Sequence, residues 1–463
     1  MMIDLNKKQR IHFIGIGGIG MRGLAELMHH WGHEISGSDL MQSENTEYLQ
    51  QNGVTITPGH RPENLKQPDL VVYSSAVGED NIELQKARSL DVPVIKRAQM
   101  LGLIMQTKKY AIAICGTHGK TTTTSMVSWV FECAGLDPVT LVGGVDRNFG
   151  STTRIGHGDL VIVEADEFDR SFLKLFPTHI IITTIDHDHF ENYGSIDEVK
   201  GGFLDFIGLL PGKGKVFLCG NDLNSQAISM QIDRQCITYG IDCEGDVIAS
   251  NIQTFEDITQ FLVREGESCH RFSLKVPGRH NIQNALAAIA VGKEFQIPMN
   301  TILSALAGFK AVERRMDILH QSNDFVLIDD YAHHPTEISA TLAAVKARWN
   351  RRTLVVFQPH LYSRTANFYR EFAGSLSAAD IVIVTGIYPA RELPIAGVTS
   401  KMIVNECNNP DKVHYIEDKF RAADFIKRIF KSGDVVITMG AGDINRINSN
   451  LLSWQSTDSQ ANL

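Results

Sequence analysis

The sequence predicts an α/β protein of parallel sheets and crossover helices, divided into three domains. Two observations carry this. Short β-branched runs recur along the chain, each followed by a stretch that reads as a helix. The chain is 463 residues long, more than one core ordinarily holds, which suggests roughly two to four domains of about 100–200 residues each. A third observation says where ligands would sit. Nearly every run ends in polar, charged or glycine residues, and in open α/β sheets the carboxyl ends of the strands form the ligand crevice.

In chain order the runs are "IHFIGI", "DLVVYSS", "YAIAIC", "DLVIVEAD", "HIIITTID", "FVLIDDY", "TLVVFQPH", "DIVIVTG" and "DVVITMGAGD". A basic, polar link near Gln106 to Lys109 separates the second run from the third. Another break follows "AVERRMD", before the strand beginning near Phe325. The expected domains are therefore 1–107, 108–317 and 318–463, with the middle one largest. The polar tail "WQSTDSQANL" reads as frayed.

Composition removes several function classes. With 44 basic against 53 acidic residues and a formal charge of −9, a broad nucleic-acid surface is disfavoured and no nucleic-acid partner is expected. The 7 cysteines are odd in number and never form a C-x-x-C pair, so neither a disulfide framework nor a zinc knuckle is suggested, and a cytoplasmic location is expected. Basic residues precede an apolar run at the N-terminus, but glycines and Arg22 interrupt it, so a strand and turn are read there and not a signal peptide. No window reaches the roughly 18 apolar residues of a membrane span, and no membrane insertion is expected.

The first strand runs into "GIGGIG", where Gly15, Gly17 and Gly20 have the G-x-G-x-x-G spacing. Such glycines let the backbone approach a pyrophosphate at a helix N-terminus, where amides and dipole favour anions. Asp39 ends the next strand, where a carboxylate typically accepts from a ribose. This fits a nicotinamide dinucleotide and a UDP-sugar equally well.

The third run opens a shortened phosphate loop, "GTHGKTTTT". The usual pattern has four residues between its glycines, whereas only Thr117 and His118 separate Gly116 from Gly119. Amides around Gly116 to Thr121 can wrap phosphate oxygens, Lys120 can neutralise β/γ charge, and the Thr121 hydroxyl can ligate Mg²⁺. The next strand ends in Glu164 and the one after it in Asp186, His187, Asp188 and His189. If those two strands are neighbours, Glu164 and His189 share one edge beside Thr121 and can hold a second divalent ion, Mg²⁺ or Mn²⁺. A zinc pair, His187 and His189, is the rival, with no cysteine nearby. Asp166, Glu167 and Asp169 read as a solvated acidic turn.

The motifs "GTHGKTTTT", "EADEFDRSFLKL", "DHDHFENYG", "GRHNIQNALAAIAV", "ERRMD", "DDYAHHPTE" and "QPHLYSRT" together resemble the Mur ligase family, over nearly the whole chain. The resemblance implies an N-terminal Rossmann-like domain for UDP-N-acetylmuramate, a central P-loop ATPase-type parallel-sheet domain, and a C-terminal Rossmann-like domain that helps bind ATP and an amino acid. It implies an ATP-dependent ligase of peptidoglycan precursor synthesis, acting as monomer or homodimer. With ATP as co-substrate and two Mg²⁺ ions, it would phosphorylate the lactyl carboxylate of the sugar acid, and the amine of L-alanine would attack the acyl phosphate. Domain closure is expected to keep water out.

The resemblance also assigns residues. Gly15, Gly17, Gly18, Gly20, Ser38, Asp39 and Ser75 would bind the UDP-sugar. Gly116, Thr117, His118, Gly119, Lys120, Thr121 and Thr122 would bind ATP, with Asn281 and Asn284 near the adenine and His280 beside them. Asn281 also reads as a helix N-cap. Arg315 matches an arginine that reaches the ATP phosphates across the domain junction, and Asp330 a ribose or domain-docking contact. Thr121 would hold the first metal, Glu164 and His189 the second, with catalysis resting on Lys120, His189, Arg315 and Lys200. Lys200 reads either as a carbamoylated metal support or as a surface lysine. His360 and Arg364 would hold the amino acid, with Tyr331 and His334 behind them; an arginine there can pair bidentately with a carboxylate.

Two positions depart from the family's common wording: Thr184, where many members have Asn, and Leu361, where Arg is frequent. Three rival functions remain. A dehydrogenase would use "GIGGIG" and Asp39 but leave the second loop idle; a non-catalytic sensor would not need intact Lys120, Thr121, Glu164 and His189; and a recycling ligase would attach a preformed murein peptide to the same sugar acid.

Overall fold

A computed structural model describes residues 3–186, 193–265, 268–390 and 392–461. Three sheets account for all the anticipated strand runs. The first contains Arg10–Ile14 (β1), Glu34–Asp39 (β2), Thr55–Pro58 (β3), Leu70–Tyr73 (β4) and Val94–Lys96 (β5), in the order β3-β2-β1-β4-β5. All its pairings are parallel.

The second sheet contains Tyr110–Cys115 (β6), Val139–Asp146 (β7), Ser151–Arg154 (β8), Leu160–Glu164 (β9), His179–Ile182 (β10), Lys215–Cys219 (β11), Cys236–Ile241 (β12), Val247–Thr254 (β13), Thr259–Glu265 (β14) and Ser268–Leu274 (β15). Its order is β15-β14-β13-β12-β11-β10-β6-β9-β7-β8. The strands β9 and β10 are therefore not neighbours, as their succession in sequence suggested. Each pairs in parallel with β6, which lies between them. The correction has a simple cause: β6 is buried along almost its whole length, so its fully apolar run requires a partner on either side.

The third sheet contains Asp317–Gln321 (β16), Phe325–Asp330 (β17), Thr353–Phe357 (β18), Ile381–Val384 (β19), Val413–Tyr415 (β20) and Asp434–Met439 (β21), in the order β16-β17-β21-β18-β19-β20. β16 pairs antiparallel with β17, and the other four pairings of this sheet are parallel. Its two faces bury separate apolar clusters, one around Val326, Ile328, Val355 and Phe372, the other around Leu327, Val356, Ala422 and Ile426.

The chain divides into two compact units. One runs through Ser250 and includes Leu262–Phe272 and Gln283–Phe309; the other comprises Asn251–Phe261, Ser273–Ile282 and everything from Lys310 onward. The first sheet and most of the second thus share a unit. The contact is close: a Cβ on Gly23, in the helix Ile19–His30 of the first sheet, would stand 2.7 Å from Thr153 Oγ1 and 3.2 Å from Leu141 of the second. Within the other unit, the buried Arg348 guanidinium donates to the carbonyls of Glu256 and Lys275, tying those segments to the helix Pro335–Trp349. The tail expected to fray belongs, as far as Ala461, to a helix, Asn448–Ala461, whose Trp454 packs edge-on against Phe430.

Candidate active site

The shortened loop leaves β6 at Gly116 and ends where the helix Lys120–Cys133 begins. Gly116 and Gly119 have φ of 125° and 82°. A Cβ on Gly116 would stand 2.3 Å from Thr183 Oγ1 and one on Gly119 2.7 Å from Asn284 Oδ1, so both positions require glycine. The segment after β10 fastens the loop. Thr117 N donates to Thr184 O at 2.8 Å, His118 N to Thr184 Oγ1 at 3.1 Å, and Asp186 N to Thr117 Oγ1 at 2.9 Å. Thr184, standing where Asn is commoner, therefore serves the loop with both backbone and side chain. The His118 ring meets the Asp186 carboxylate at 3.2 Å.

Lys120 Nζ donates to Gly116 O at 2.6 Å and to both carboxylate oxygens of Glu167 at 2.9 Å. Burial on its own would lower the pKa of this ammonium, but Glu167, Asp166 and Glu164 outweigh it and hold the group above its ordinary value. Glu167 is only 2% exposed, so this one acid departs from the solvated turn expected and is the counter-ion of the loop lysine, whereas Asp169 is exposed. The signal was a lone carboxylate in a run of acids, which gives no hint of which one turns inward.

Thr121 Oγ1 donates to Glu164 Oε1 at 3.1 Å, and Glu164 Oε2 accepts from Gly143 N at 2.8 Å. A Cβ on Gly143 would crowd that carboxylate at 2.7 Å, so sequence reasoning missed a glycine that lets Glu164 lie flat against β7. Two hard oxygens beside a phosphate loop fit Mg²⁺. His187, Asp188 and His189 lie outside the described residues. Lys200 Nζ pairs with Asp197 on its own helix at 2.6 Å, a pairing that an anionic carbamate would lose. Thr122 is buried in the first turn of the loop helix.

Asn284 Oδ1 accepts from Thr123 Oγ1 at 3.0 Å, which ties the helix Arg279–Glu294 to the loop helix. Asn281 is not an N-cap. It lies inside the first turn, and its side-chain amide donates to Pro277 O at 2.7 Å. His280 is neutral, since burial lowers its pKa to about 4.

The other unit holds the remaining candidates: Arg315 just before β16, Asp330, Tyr331 and His334 at and after the end of β17, and His360 and Arg364 after β18. The Asp330 carboxylate is buried, accepting from Thr341 Oγ1 at 2.8 Å and Ala332 N at 3.0 Å, and burial pushes its pKa up to about 6. Each oxygen thereby braces the turn into the helix Pro335–Trp349 with one of its two acceptor positions. Arg315 lies 4.9 Å from the Tyr331 ring centre and 3.8 Å from Glu337. His334 starts the helix Pro335–Trp349 and packs edge-on against Phe368. His360 stacks on Tyr388 at 5.9 Å and meets His333 edge-on at 5.9 Å. Arg364 is buried one turn into the helix Tyr362–Leu376 and, with burial first, helps lower the pKa of His333 to about 3. Leu361 takes φ 68°, a strained turn between His360 and Arg364. Tyr388, His333 and Glu337 were not singled out in the sequence.

At the first loop, Gly15 N and Ile16 N donate to Ser38 O at 2.8 and 3.1 Å, and Gly17 N donates to Asp39 Oδ2 at 2.8 Å. Gly18 precedes the helix Ile19–His30 without a side-chain cap, and Ser75 is exposed beyond β4. The Arg97 guanidinium comes within 3.3 Å of where a Gly20 Cβ would be, a cation that sequence reasoning missed because it lies far along the chain. Ser38 is a correction: it is fully buried with its hydroxyl given to Glu83 at 2.6 Å, so it supports the loop from behind.

Three family models match in succession: "Mur ligase family, catalytic domain" over residues 10–109, "Mur ligase middle domain" over 114–292 and "Mur ligase, glutamate ligase domain" over 314–442. The chain is 44% identical to a UDP-N-acetylmuramate–L-alanine ligase of Syntrophotalea carbinolica, covering 97% of this chain and 98% of that one. It is 44% identical to the enzyme of the same name from Geotalea daltonii, over 95% and 96%. Among solved structures it is similar to UDP-N-acetylmuramate-alanine ligase from Thermotoga maritima, with TM-score 0.83 and 30% identity over 97% of this chain and all (100%) of that one. It is also similar to a murein peptide ligase from Psychrobacter arcticus, with TM-score 0.70 and 26% identity over 96% and 98%. By end-to-end sequence likeness and by fold, the chain belongs to the Mur ligase family.

Proposed function

We propose that this chain is an ATP-dependent ligase that joins L-alanine to UDP-N-acetylmuramate, releasing ADP and phosphate, in peptidoglycan precursor synthesis. One observation carries the reading: the Lys120 loop stands beside the Thr121–Glu164 oxygen pair in a chain that matches ligases of that name from end to end. Residues 1–107 take the UDP-sugar, 108–317 ATP, and 318–463 the amino acid, in the cytoplasm, as monomer or homodimer.

A carboxylate is a poor electrophile because it would have to expel oxide; phosphorylation gives it a leaving group. Moving a phosphoryl anion onto another anion calls for cations. Lys120 supplies one, released from Glu167 as the triphosphate arrives, and the loop amides orient the γ-phosphoryl group. Thr121 and Glu164 hold Mg²⁺, with His189 as a further ligand and two ions in all; bound there, it supplies Lewis acidity toward phosphoryl oxygens. Gly15, Gly17, Gly18, Gly20, Asp39, Ser75 and Arg97 receive the UDP-sugar. Arg315 is assigned to the nucleotide. Arg364 pairs with the alanine carboxylate, with His360, Tyr331 and His334 about it, and His333 stays neutral as a hydrogen-bonding wall.

Phosphate release measured with UDP-N-acetylmuramate, Mg²⁺ and each amino acid or murein peptide in turn tests the reading. Alanine-dependent release with a new amide product is expected. Release only with preformed peptides would favour the recycling reaction, and no dependence on the sugar acid would end the proposal.

A further inference from the structure

Behind the first glycine loop lies a polar cluster with no partner in the chemistry above. Glu83 is fully buried in the first turn of the helix Ile82–Ser89. It takes Ser38 Oγ at 2.6 Å, His12 Nε2 at 2.8 Å and His60 Nδ1 at 3.0 Å. His12 Nδ1 lies 2.9 Å from Ser36 Oγ, a hydroxyl that can donate to it and leave Nε2 to donate to Glu83. The helix does not need this carboxylate as a cap, because Asn81 already accepts from Glu83 N and Leu84 N at 3.0 Å. Buried ionic clusters of this kind seldom add net stability over apolar packing.

What the cluster does is fix residue 38. The Ser38 carbonyl holds the amides of Gly15 and Ile16, and the next residue, Asp39, holds the amide of Gly17. The whole first turn of the loop hangs from residues 38 and 39, and Glu83 grips the first of these from the far side. Burial would raise the Glu83 pKa, but His12, Ser38 and His60 more than offset it, so the carboxyl sits below its usual range and the anchor stays ionised.

We propose that Glu83 is a positioning residue for the sugar nucleotide: through Ser38 it sets the loop Gly15–Gly20 against the diphosphate, while His12 and His60 orient its carboxylate. This rests on the reading that the loop takes a UDP-sugar. Losing the anchor would tilt the turn that presents the start of the helix Ile19–His30 to a phosphate, and the loss would appear in sugar-nucleotide binding, not at the ATP loop.

The test uses the full chain with Glu83→Gln, Ser38→Ala and the double variant. Calorimetry of wild type with UDP-N-acetylmuramate comes first; absence of binding there overturns the reading of the loop itself. With binding established, Glu83→Gln is expected to raise KM for the sugar nucleotide about tenfold, leaving kcat at saturation and KM for ATP within about twofold. Ser38→Ala should move KM in the same direction by less. The double variant should be no worse than Glu83→Gln, since both act through one hydrogen bond. Unchanged sugar KM, or sugar and ATP KM rising together with a lower Tm, would overturn the assignment and leave Glu83 structural. If Glu83→Gln does not fold, Ser38→Ala decides: it removes one hydroxyl, and an unmoved sugar KM refutes the claim.

Discussion

The loops at Gly15–Gly20 and Gly116–Gly119 share a topological address and differ in charge. Each leaves an inner strand paired in parallel on both sides and opens a helix. In the first loop a carboxylate, Asp39, already occupies one amide, and the adjacent cation, Arg97, is lent by a distant helix. In the second the cation belongs to the loop, and acids surround it. Backbone amides alone cradle phosphate in either setting. Side chains decide how much charge can be met: a diester diphosphate carries about two charges, whereas a triphosphate tail about to lose a group carries more and needs a lysine and a divalent ion.

The comparison breaks most sharply at Lys120. Lys120→Ala is expected to lower kcat by about 10³-fold or more while UDP-N-acetylmuramate still binds, checked by phosphate release and calorimetry; loss of sugar binding would mean that the loops are not separate. Glu164→Gln should cost about 10²-fold in kcat, partly restored by raised Mg²⁺, and a Mg²⁺ titration of rate reads this directly. Arg97→Ala should raise KM for the sugar nucleotide by about 10- to 100-fold and leave that for ATP alone. Glu167→Gln removes the anion that competes with triphosphate for Lys120, so ATP should bind about 3- to 10-fold tighter while Tm falls, because a buried cation loses its partner.

The smallest effect belongs to a control at the amino end of the second sheet. His179, packed against Phe295 at 4.9 Å, has its pKa lowered by burial to about 4. A base whose pKa is lower in the folded than in the unfolded state contributes stability above about pH 6.5, lost as pH falls toward 4. His179→Phe should therefore leave Tm nearly unchanged at pH 8 and raise it at pH 5, where the difference is worth about 2 kcal/mol, with neither loop's affinity altered.

Strands and loops were legible because burial and glycine leave local marks: "YAIAIC" has no polar residue before the turn, and Gly-Lys-Thr follows it. Glu164 with Thr121 was legible for the same reason, as a carboxylate ending a buried strand. What could not be read was pairing between distant segments. Sequence succession put β9 beside β10, although β6 separates them. Glu167 looked like one acid among several until its burial against Lys120 distinguished it. The resemblance set Ser38 among the ligands beside Asp39, yet the pleat turns alternate side chains to opposite faces, and residue 38 faces Glu83.

The inner placement of β1 and β6 has a consequence for how the protein breathes. Amides along Ile112–Ile114 have paired strands on both flanks, so deuterium reaches them only when the sheet opens broadly, whereas those of β20 at a rim exchange through small fluctuations. The turns proposed to bind phosphate are attached to such inner strands, and are thereby set before a nucleotide arrives. The entropy of ordering them is spent during folding, which leaves more of the contact energy available for affinity.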